Sequence, residues 1–600
     1  MAQTDRKDID EKYKWNLSDL YSSKDVWAEH KKSLAEKIKE VSRFKGHIAD
    51  SAIALLDFFT FDSNIEKEMA RLSIYASLLS DQDVNNAENL ALVKEIESLS
   101  IDYVQLTHFV RPELSAISAD TYAAFTAQQP SLAQYSMAID RILRGKEHTL
   151  SDVEEELLSK VSMLGNTPYS TFSVFSDAEM PFPTITTSDG QQVVLDHSAF
   201  ARLRASEVRD DRQKAFYAFW ENYRKFEGTF GELTDGNLRR KVFAAQVRKY
   251  PSALDSALSY NNIPRGVYTS LIDNVNKNLD TFHRYLRLKK RLLGVDRLEY
   301  ADVYAPAVAK SDLHFTYEEA QQMVIEALAP LGTQYVDVVR RAFRERWIDV
   351  MPCKGKATGA YSNGAAYDVH PYILMNFDGL YDHVGTLIHE LGHTMHSYLS
   401  NASQPFPTCD YSIFVAEVAS TFNEALLDNM MLRRLTDRNN RIELIMNMLD
   451  GFKGTLFRQA QFAEFQLRMT EMAERSEPIT GQKLSALYGE ILRRYYGHDS
   501  GVCYIDPVVD IEWAFIPHFY MGFYVYQYST SFVASQALSE IVLQGSDAER
   551  NRYLNFLSAG DSKYPIDELR DAGVDMLSDQ PFNKAISKMN NLIDQLESLL

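Results

Sequence analysis

Apolar residues recur at intervals of three and four along most of the chain, which is the spacing of an amphipathic α-helix. The clearest example occupies residues 268–286, with apolar side chains at Tyr268, Leu271, Ile272, Val275, Leu279, Phe282 and Leu286. Comparable stripes fill the first 150 residues and residues 413–492. The sequence therefore predicts a mainly α fold.

Strand patterns are few and short. Residues 185–187 and 193–195 flank Ser188-Asp189-Gly190, and an Asp-Gly pair between two apolar runs predicts a β-hairpin. A second candidate strand covers residues 372–377. We expect this second strand to lie at the edge of a sheet, where it could pair with the backbone of a bound peptide.

The chain has 600 residues, which is long for one compact domain, so we expect two or more lobes. Helical periodicity resumes after Ser198, and this change of pattern places a boundary near residue 195. We predict an N-terminal helical lobe, residues 1–195, that ends in the hairpin, and a second domain, residues 196–600.

Composition and charge narrow the choice of partners. The chain has 45% hydrophobic and 24% charged residues, as soluble globular proteins do, and a net charge of -20 at pH 7. We expect no nucleic acid and no membrane as a partner for so acidic a chain.

Three features of the sequence bear on its cellular location. The charged N-terminus lacks the apolar segment of a signal peptide, and no apolar run is long enough to span a membrane. The three cysteines are widely separated, which is typical of a protein without disulfide bonds. We therefore expect a cytoplasmic protein, and the sequence leaves its oligomeric state open.

The most informative segment is His389-Glu390-Leu391-Gly392-His393, an H-E-x-x-H motif. Residues four apart lie one turn above each other on a helix, so His389 and His393 can direct two imidazole nitrogens at one metal ion. The carboxylate of Glu390 lies beside the first ligand and can remove a proton from zinc-bound water as it attacks a peptide carbonyl. The motif predicts a catalytic site with one Zn²⁺ per chain.

Two histidines are too few for a stable catalytic zinc site, so a third protein ligand is expected. Residues 414–424 predict a second buried helix that carries Glu417 and Glu424 about two turns apart, on one face. One carboxylate could complete the metal site while the other orients a ligand imidazole through its second nitrogen. The spacing alone does not choose between the two glutamates. His396 lies near the motif face and is a further candidate ligand.

Several segments resemble oligoendopeptidase F, a member of the thimet oligopeptidase-like group of zinc metallopeptidases. The resemblance spans nearly the whole chain and is far more specific than the H-E-x-x-H motif, which unrelated zinc peptidases share. Besides the two helices just described, the resembling stretches are Trp15–Tyr21, Arg248–Leu254, Gly359–Gly364, Tyr367–Gly379 and Pro517–Tyr520.

The resemblance implies a multi-lobed, mainly helical zincin-type metallopeptidase with a small β element and a deep central cleft. It implies that His389, His393 and Glu417 are the zinc ligands and that Glu390 is the general base. It further implies that residues 196–600 form the zinc peptidase catalytic domain. The implied activity is hydrolysis of internal peptide bonds in short, unstructured oligopeptides.

Attack on a peptide carbonyl places negative charge on its oxygen, and hydrogen-bond donors stabilise that charge. The run from His518 to Tyr528 is rich in such donors. In the resembling family a histidine and tyrosines of a C-terminal segment face the zinc, which implies this role for His518. Tyr524 and Tyr528, four apart on one helical face, are the predicted tyrosines. A shift of one position in the match keeps Tyr526 open.

Two other functions stay open. The same metal chemistry could serve a peptidyl-dipeptidase or carboxypeptidase, which would need a cationic group to bind the C-terminal carboxylate of the substrate. Alternatively, the chain could be a catalytically inactive peptide-binding protein. The sequence reveals neither the cleavage-site preference nor the physiological substrate.

Overall fold

The structure is a computed structural model that describes residues 4–162, 165–308 and 314–600. Helices make up 71% of it and the sheets are small, which confirms the predicted mainly α fold. Its α-helices, numbered in chain order, are α1 (Lys24–Lys37), α2 (Ala52–Gln82), α3 (Ala87–Leu106), α4 (Val110–Ala116), α5 (Ala119–Gln128), α6 (Ser136–Gly145), α7 (Asp152–Ser162), α8 (Thr167–Val174), α9 (His197–Leu203), α10 (Arg209–Arg224), α11 (Glu227–Val247), α12 (Ala253–Ser259), α13 (Arg265–Lys277), α14 (Leu279–Leu293), α15 (Tyr317–Ala327), α16 (Thr333–Arg344), α17 (Tyr381–Ser403), α18 (Ile413–Arg434), α19 (Arg438–Gly451), α20 (Arg458–Glu474), α21 (Gly481–Tyr495), α22 (Tyr526–Gln544), α23 (Asp547–Leu557), α24 (Pro565–Asp571) and α25 (Gln580–Leu599).

The chain forms two compact units, each assembled from three separate segments. The first unit comprises residues 1–147, 313–430 and 535–574, and the second comprises residues 148–312, 431–534 and 575–600. The motif helix α17 therefore shares a unit with the N-terminal helices α1–α6, and neither unit coincides with residues 1–195 or 196–600. As a functional division, the boundary near residue 195 stays a prediction.

The hairpin lies where the sequence pattern indicates. Strands β1 (Thr184–Thr186) and β2 (Gln192–Val194) are antiparallel, with Ile185 opposite Val193. The turn between them contains Gly190, whose φ of 84° is in the left-handed region that glycine adopts without steric cost. The Asp-Gly signal thus identified both the turn and the pairing.

A three-stranded sheet precedes the motif helix. It consists of β3 (Ile348–Asp349), β4 (Tyr361–Asn363) and β5 (Tyr372–Leu374), in the order β3-β5-β4. The expectation that the 372–377 segment forms an edge strand is wrong, because β5 pairs with β3 on one side and with β4 on the other. The strand with a free side that lies against α17 is β4 instead.

Residues 15–139 supply most of one hydrophobic core cluster of the first unit. Trp27 is fully buried, and its indole N–H donates a hydrogen bond to the carbonyl oxygen of Leu72 over 2.9 Å. Tyr372 and Leu374 of the central strand belong to the same buried cluster. The sheet that leads into α17 therefore rests on the N-terminal helices. Among the described helices, none is both long and apolar enough to span a membrane.

Candidate metal centre and active site

The H-E-x-x-H motif lies in the middle of α17, and α18 packs against it. Nε2 of His389 and Nε2 of His393 lie 3.5 and 3.6 Å from the same atom, Oε2 of Glu417. The two imidazole rings are 5.0 Å apart between centroids, with their planes at 78°. One ligand atom from each of the three residues lies within 4.8 Å of the others, and no other group in the described part of the chain has this geometry.

The three residues fit a zinc ion. Two imidazole nitrogens and one carboxylate oxygen form a common donor set of catalytic zinc sites, and such a set leaves a fourth position for water or substrate. Donors bound about 2.0–2.2 Å from a tetrahedral ion lie about 3.4 Å from one another. The distances from Glu417 to the two imidazoles, 3.5 and 3.6 Å, are close to that spacing.

Gly392 allows α17 and α18 to approach so closely. A Cβ atom at this position would lie only 2.6 Å from the carbonyl oxygen of Ala419 and 2.6 Å from Cα of Ser420. Contacts that short violate van der Waals packing, so any side chain would push the two helices apart. The glycine inside the motif therefore determines how near Glu417 can come to the histidines.

A buried asparagine also connects the two helices. Asn423 is fully buried, and its Nδ2 donates to the carbonyl oxygen of Ile388 over 3.2 Å, immediately before the first motif histidine. The same amide interacts with the hydroxyl of Tyr335 on α16, at 3.3 and 3.4 Å. Because both residues are buried, these bonds resist any rotation of α18 relative to the motif.

The second carboxylate of α18 contacts the opposite nitrogen of the first motif histidine. Nδ1 of His389 donates to Oε1 of Glu424 over 2.9 Å, while Nε2 of the same ring lies on the side of Glu417. The carboxylate of Glu417 accepts a hydrogen bond of 2.9 Å from Oγ of Ser420. The two glutamates that the sequence could not rank thus have different partners.

The carboxylates surrounding the histidines change their proton affinities. Burial disfavours the charged form of His389, but its hydrogen bond to Glu424 and the nearby Glu390 and Glu417 outweigh burial and raise its pKa to about 9. Burial and the charge of His389 lower the pKa of His393 to about 4. The same surroundings thus shift the pKa values of the two motif histidines in opposite directions.

Glu390 is separate from the three candidate ligands. Its side chain is buried, and burial raises the pKa of its carboxyl to about 7 although the charge of His389 acts in the opposite direction. The backbone N–H of Ser362, in β4, lies near this carboxylate and also favours its ionised form. The hydroxyl groups of Ser362 and Thr394 are 2.8 Å apart, so strand and helix are connected next to Glu390.

His396 is not among the candidate ligands in the structure. Its ring is buried and stacks on that of Tyr411, with centroids 3.6 Å apart and planes at 7°. Burial lowers the pKa of His396 to about 3, so its imidazole is neutral. We therefore interpret His396 as a residue that packs in the core beside Tyr411.

The predicted donors lie in the second unit. His518, Tyr524 and Tyr528 are mutual neighbours, with ring centroids 6.0 Å apart for His518 and Tyr524, 6.2 Å for His518 and Tyr528, and 5.5 Å for the two tyrosines. All three side chains are partly exposed. Tyr526 is buried instead, against Tyr268 at 4.9 Å. The structure thus brings His518, Tyr524 and Tyr528 together and separates Tyr526 from them.

Several residues next to the candidate ligands were not found from the sequence. They are Ser362, Thr394, Ser420 and Asn423. Ser420 and Asn423 follow Glu417 at helical spacings of three and six, which is a weak signal that any helix could give. Ser362 had no signal at all, because its contact with Glu390 depends on the pairing of β4 with β5.

Comparison with known proteins places the chain among peptidases. The sequence model of Peptidase family M3 matches residues 202–588, and that of Oligopeptidase F matches residues 113–182. Oligopeptidase PepF of Bacillus subtilis is 39% identical over 596 residues, covering 99% of this chain and 88% of that protein. The crystal structure of oligoendopeptidase-F from Enterococcus faecium has 32% identity and a TM-score of 0.75, covering 95% of this chain and 98% of that one. A crystal structure from Chlamydophila abortus has 35% identity and a TM-score of 0.93, with full coverage of both chains.

Proposed function

The chain belongs to peptidase family M3, as a metalloendopeptidase of the oligoendopeptidase F type, and from this premise we propose that it uses one Zn²⁺ to hydrolyse internal bonds of short, unstructured peptides. The observation that carries the proposal is the group formed by His389, His393 and Glu417, with Glu390 buried beside it. These residue types at these distances match what zinc-dependent peptide hydrolysis requires.

We propose that His389, His393 and Glu417 hold the ion and that Glu424 orients His389. A zinc ion held there supplies Lewis-acid chemistry, in that it lowers the pKa of a coordinated water molecule and polarises a carbonyl group. The hydrogen bond between Nδ1 of His389 and Glu424 keeps Nε2 available as a ligand atom.

Glu390 is the proposed general base. Its carboxylate accepts the proton of the water that attacks the peptide carbonyl, and the resulting acid can donate that proton to the departing amine. Support comes from its burial and from the nearby Ser362 N–H, which favours the ionised carboxylate. Pairing with the substrate backbone was predicted for residues 372–377, but β4 is the edge strand that lies against α17. We therefore propose that the substrate backbone pairs with β4.

His518, Tyr524 and Tyr528 are the proposed donors to the developing negative charge. Their residue types and their mutual contacts support this assignment. The burial of Tyr526 against Tyr268 speaks against Tyr526 in the same role.

Phenylalanine substitutions separate the three tyrosines. Tyr524→Phe and Tyr528→Phe each remove one hydroxyl, and loss of an oxyanion donor lowers kcat by roughly 10²–10³-fold. Tyr526→Phe is the matched control and should retain the wild-type kcat. Steady-state kinetics on one fluorogenic peptide measure all three variants. A low kcat for Tyr526→Phe beside normal values for the other two would reverse the assignment.

A peptide blocked at both ends tests the class of activity. We expect cleavage at an internal bond, detected by mass spectrometry of the products, because an endopeptidase needs neither terminus of its substrate. Incubation with a chelator should abolish this activity, and added Zn²⁺ should restore it. If only peptides with a free C-terminus were cleaved, the peptidyl-dipeptidase or carboxypeptidase alternative would replace the proposal.

Short peptides are the proposed partners, and a cytoplasmic location stays a prediction. The relatives' names support peptide substrates, since they are described as oligopeptidases or oligoendopeptidases. Mass spectrometry of cell-extract peptides incubated with the active protein and with a Glu390→Gln variant would identify the substrates as those that only the active protein removes.

A further inference from the structure

The segment that carries His518 and Tyr524 is held by buried aromatic side chains. We call residues 517–524 the His518 loop. Phe519 packs on Phe465 at 5.2 Å, Tyr520 packs on Phe172 at 4.7 Å, and both of these loop side chains are buried. His518 and Tyr524 remain partly exposed, with stacked rings. The loop therefore buries one set of side chains and leaves the proposed donors accessible.

The backbone of the His518 loop adopts a conformation that is unfavourable by itself. Gly522 and Phe523 both have positive φ angles, 76° and 51°, and the second is not a glycine. A bulky residue in the left-handed region persists only where its surroundings hold it there. Phe523 is buried and packs on Tyr268 at 5.5 Å. The conformation of the loop thus depends on contacts from other elements.

Three side chains from two helices donate hydrogen bonds to the loop carbonyl groups. Nζ of Lys241 lies 2.8 Å from the carbonyl oxygen of Tyr520 and 3.4 Å from that of Phe519. Asn237, also on α11, and Gln466 on α20 each donate to the carbonyl oxygen of Phe519 over 3.4 Å. Lys241 makes the shortest of these bonds and is the one that reaches two carbonyl groups.

Among the described residues, the amine of Lys241 has no acidic partner, because no carboxylate lies within 4.0 Å of its Nζ. Its hydrogen bonds go to the loop carbonyl groups. A Cβ atom on Gly522 would lie 2.9 Å from Nζ, which shows how tightly the amine fits against the loop. Burial, together with the charge of Arg240, lowers the pKa of Lys241 to about 7. Lys241 therefore donates its hydrogen bonds to the loop from within the fold, whereas a surface lysine donates to water.

We propose that Lys241 is a positioning residue for catalysis, which holds the His518 loop in the conformation that keeps His518 and Tyr524 together by donating to the carbonyl groups of Phe519 and Tyr520. This inference rests on the proposed role of His518 and Tyr524 in the reaction. Among the described residues, Lys241 donates hydrogen bonds to the loop carbonyl groups, so its effect on the reaction passes through the two ring side chains.

Substitution of Lys241 by methionine tests the proposal. The variant keeps the length and volume of the side chain and removes the donor. We expect kcat to fall by about 100-fold, since a misplacement of about 1 Å can cost that much, with KM near the wild-type value. Lys241→Arg should recover most of the lost kcat, because a guanidinium group can donate to both carbonyl oxygens. Zinc content should stay at the wild-type level in both variants.

Arg239→Met is the matched control. Arg239 lies two residues earlier on α11, and its exposed guanidinium pairs with Asp235 on the same helix, away from the loop carbonyl groups, so its loss should leave kcat unchanged. A kcat for Lys241→Met equal to that of Arg239→Met would overturn the inference, as would failure of Lys241→Arg to recover activity. If Lys241→Met does not fold, Lys241→Leu is measured instead, and a normal kcat for that variant also overturns the inference.

His518→Phe distinguishes failure of this inference from failure of the proposed function. A low kcat for His518→Phe beside a normal one for Lys241→Met would reject the positioning role and leave the proposed role of His518 intact. A normal kcat for His518→Phe would reject the proposed role of His518, and the positioning role would fail with it.

Discussion

Replacing Glu390 with glutamine is expected to lower kcat/KM by roughly 10²–10⁴-fold, the range that a general acid–base group contributes, while zinc remains bound. The amide has nearly the shape of the carboxylate and still offers a carbonyl oxygen to the nearby Ser362 N–H. It cannot accept a proton from the attacking water. Elemental analysis measures whether zinc remains bound, and steady-state kinetics on one blocked peptide measure the loss of kcat/KM.

Glu568→Gln is a suitable control for Glu390→Gln. Glu568 is also a buried glutamate of the first unit, and burial raises the pKa of its carboxyl to about 9. Neutral substitution there should leave kcat/KM unchanged, because the residue takes no part in the proposed reaction. Activity retained in Glu390→Gln would show that another group accepts the proton, and the assignment of the base would be abandoned.

Loss of Glu417 should weaken zinc binding far more than loss of Glu424. A structural zinc site binds its ion with a free energy that, divided among its ligands, amounts to about 3–4 kcal/mol for each ligand. If the same holds here, Glu417→Gln should lower the zinc affinity roughly 10³-fold. A group that only orients a ligand histidine contributes about 10–100-fold, which is the effect expected for Glu424→Gln. Competition with a chromophoric chelator measures both affinities.

The two substitutions are matched, because both change glutamate to glutamine on one face of α18. Only their partners differ: Glu417 lies beside Nε2 of both histidines, whereas Glu424 contacts Nδ1 of His389. A larger loss of zinc affinity in Glu424→Gln would exchange the two roles. Equal losses would indicate that both carboxylates bind the ion directly.

The sequence indicated the local features correctly. The apolar spacing predicted the helices, and Asp189-Gly190 predicted the hairpin that β1 and β2 form. The motif histidines were expected on one helical face, and their imidazole rings do lie side by side, with centroids 5.0 Å apart. These features depend on contacts within one turn of helix or across one tight turn, so they can be read from neighbouring residues.

The edge strand and the composition of the units could not be predicted in the same way. The sequence of residues 372–377 is compatible with either an edge strand or a central strand of a sheet. Only the pairing with β3 and β4 shows that this segment forms the central strand. Likewise, nothing in the local pattern indicates that residues 1–147 and α17 belong to one compact unit. Both features arise from pairings between distant segments, which leave no periodic trace in the sequence.

By itself, the sequence determined the helical content, the hairpin, the convergent histidine pair and the neighbouring Glu390. The tertiary structure decided which carboxylate of α18 meets both imidazoles, which strand contacts Glu390, and which side chain reaches the His518 loop. Glu417 and Glu424 lie on the same face of one helix, and their difference comes from the close approach of α18 at Gly392. The spacing of residues along a helix is set by the backbone alone, whereas the distance between two helices is set by the packing of side chains far apart in the chain.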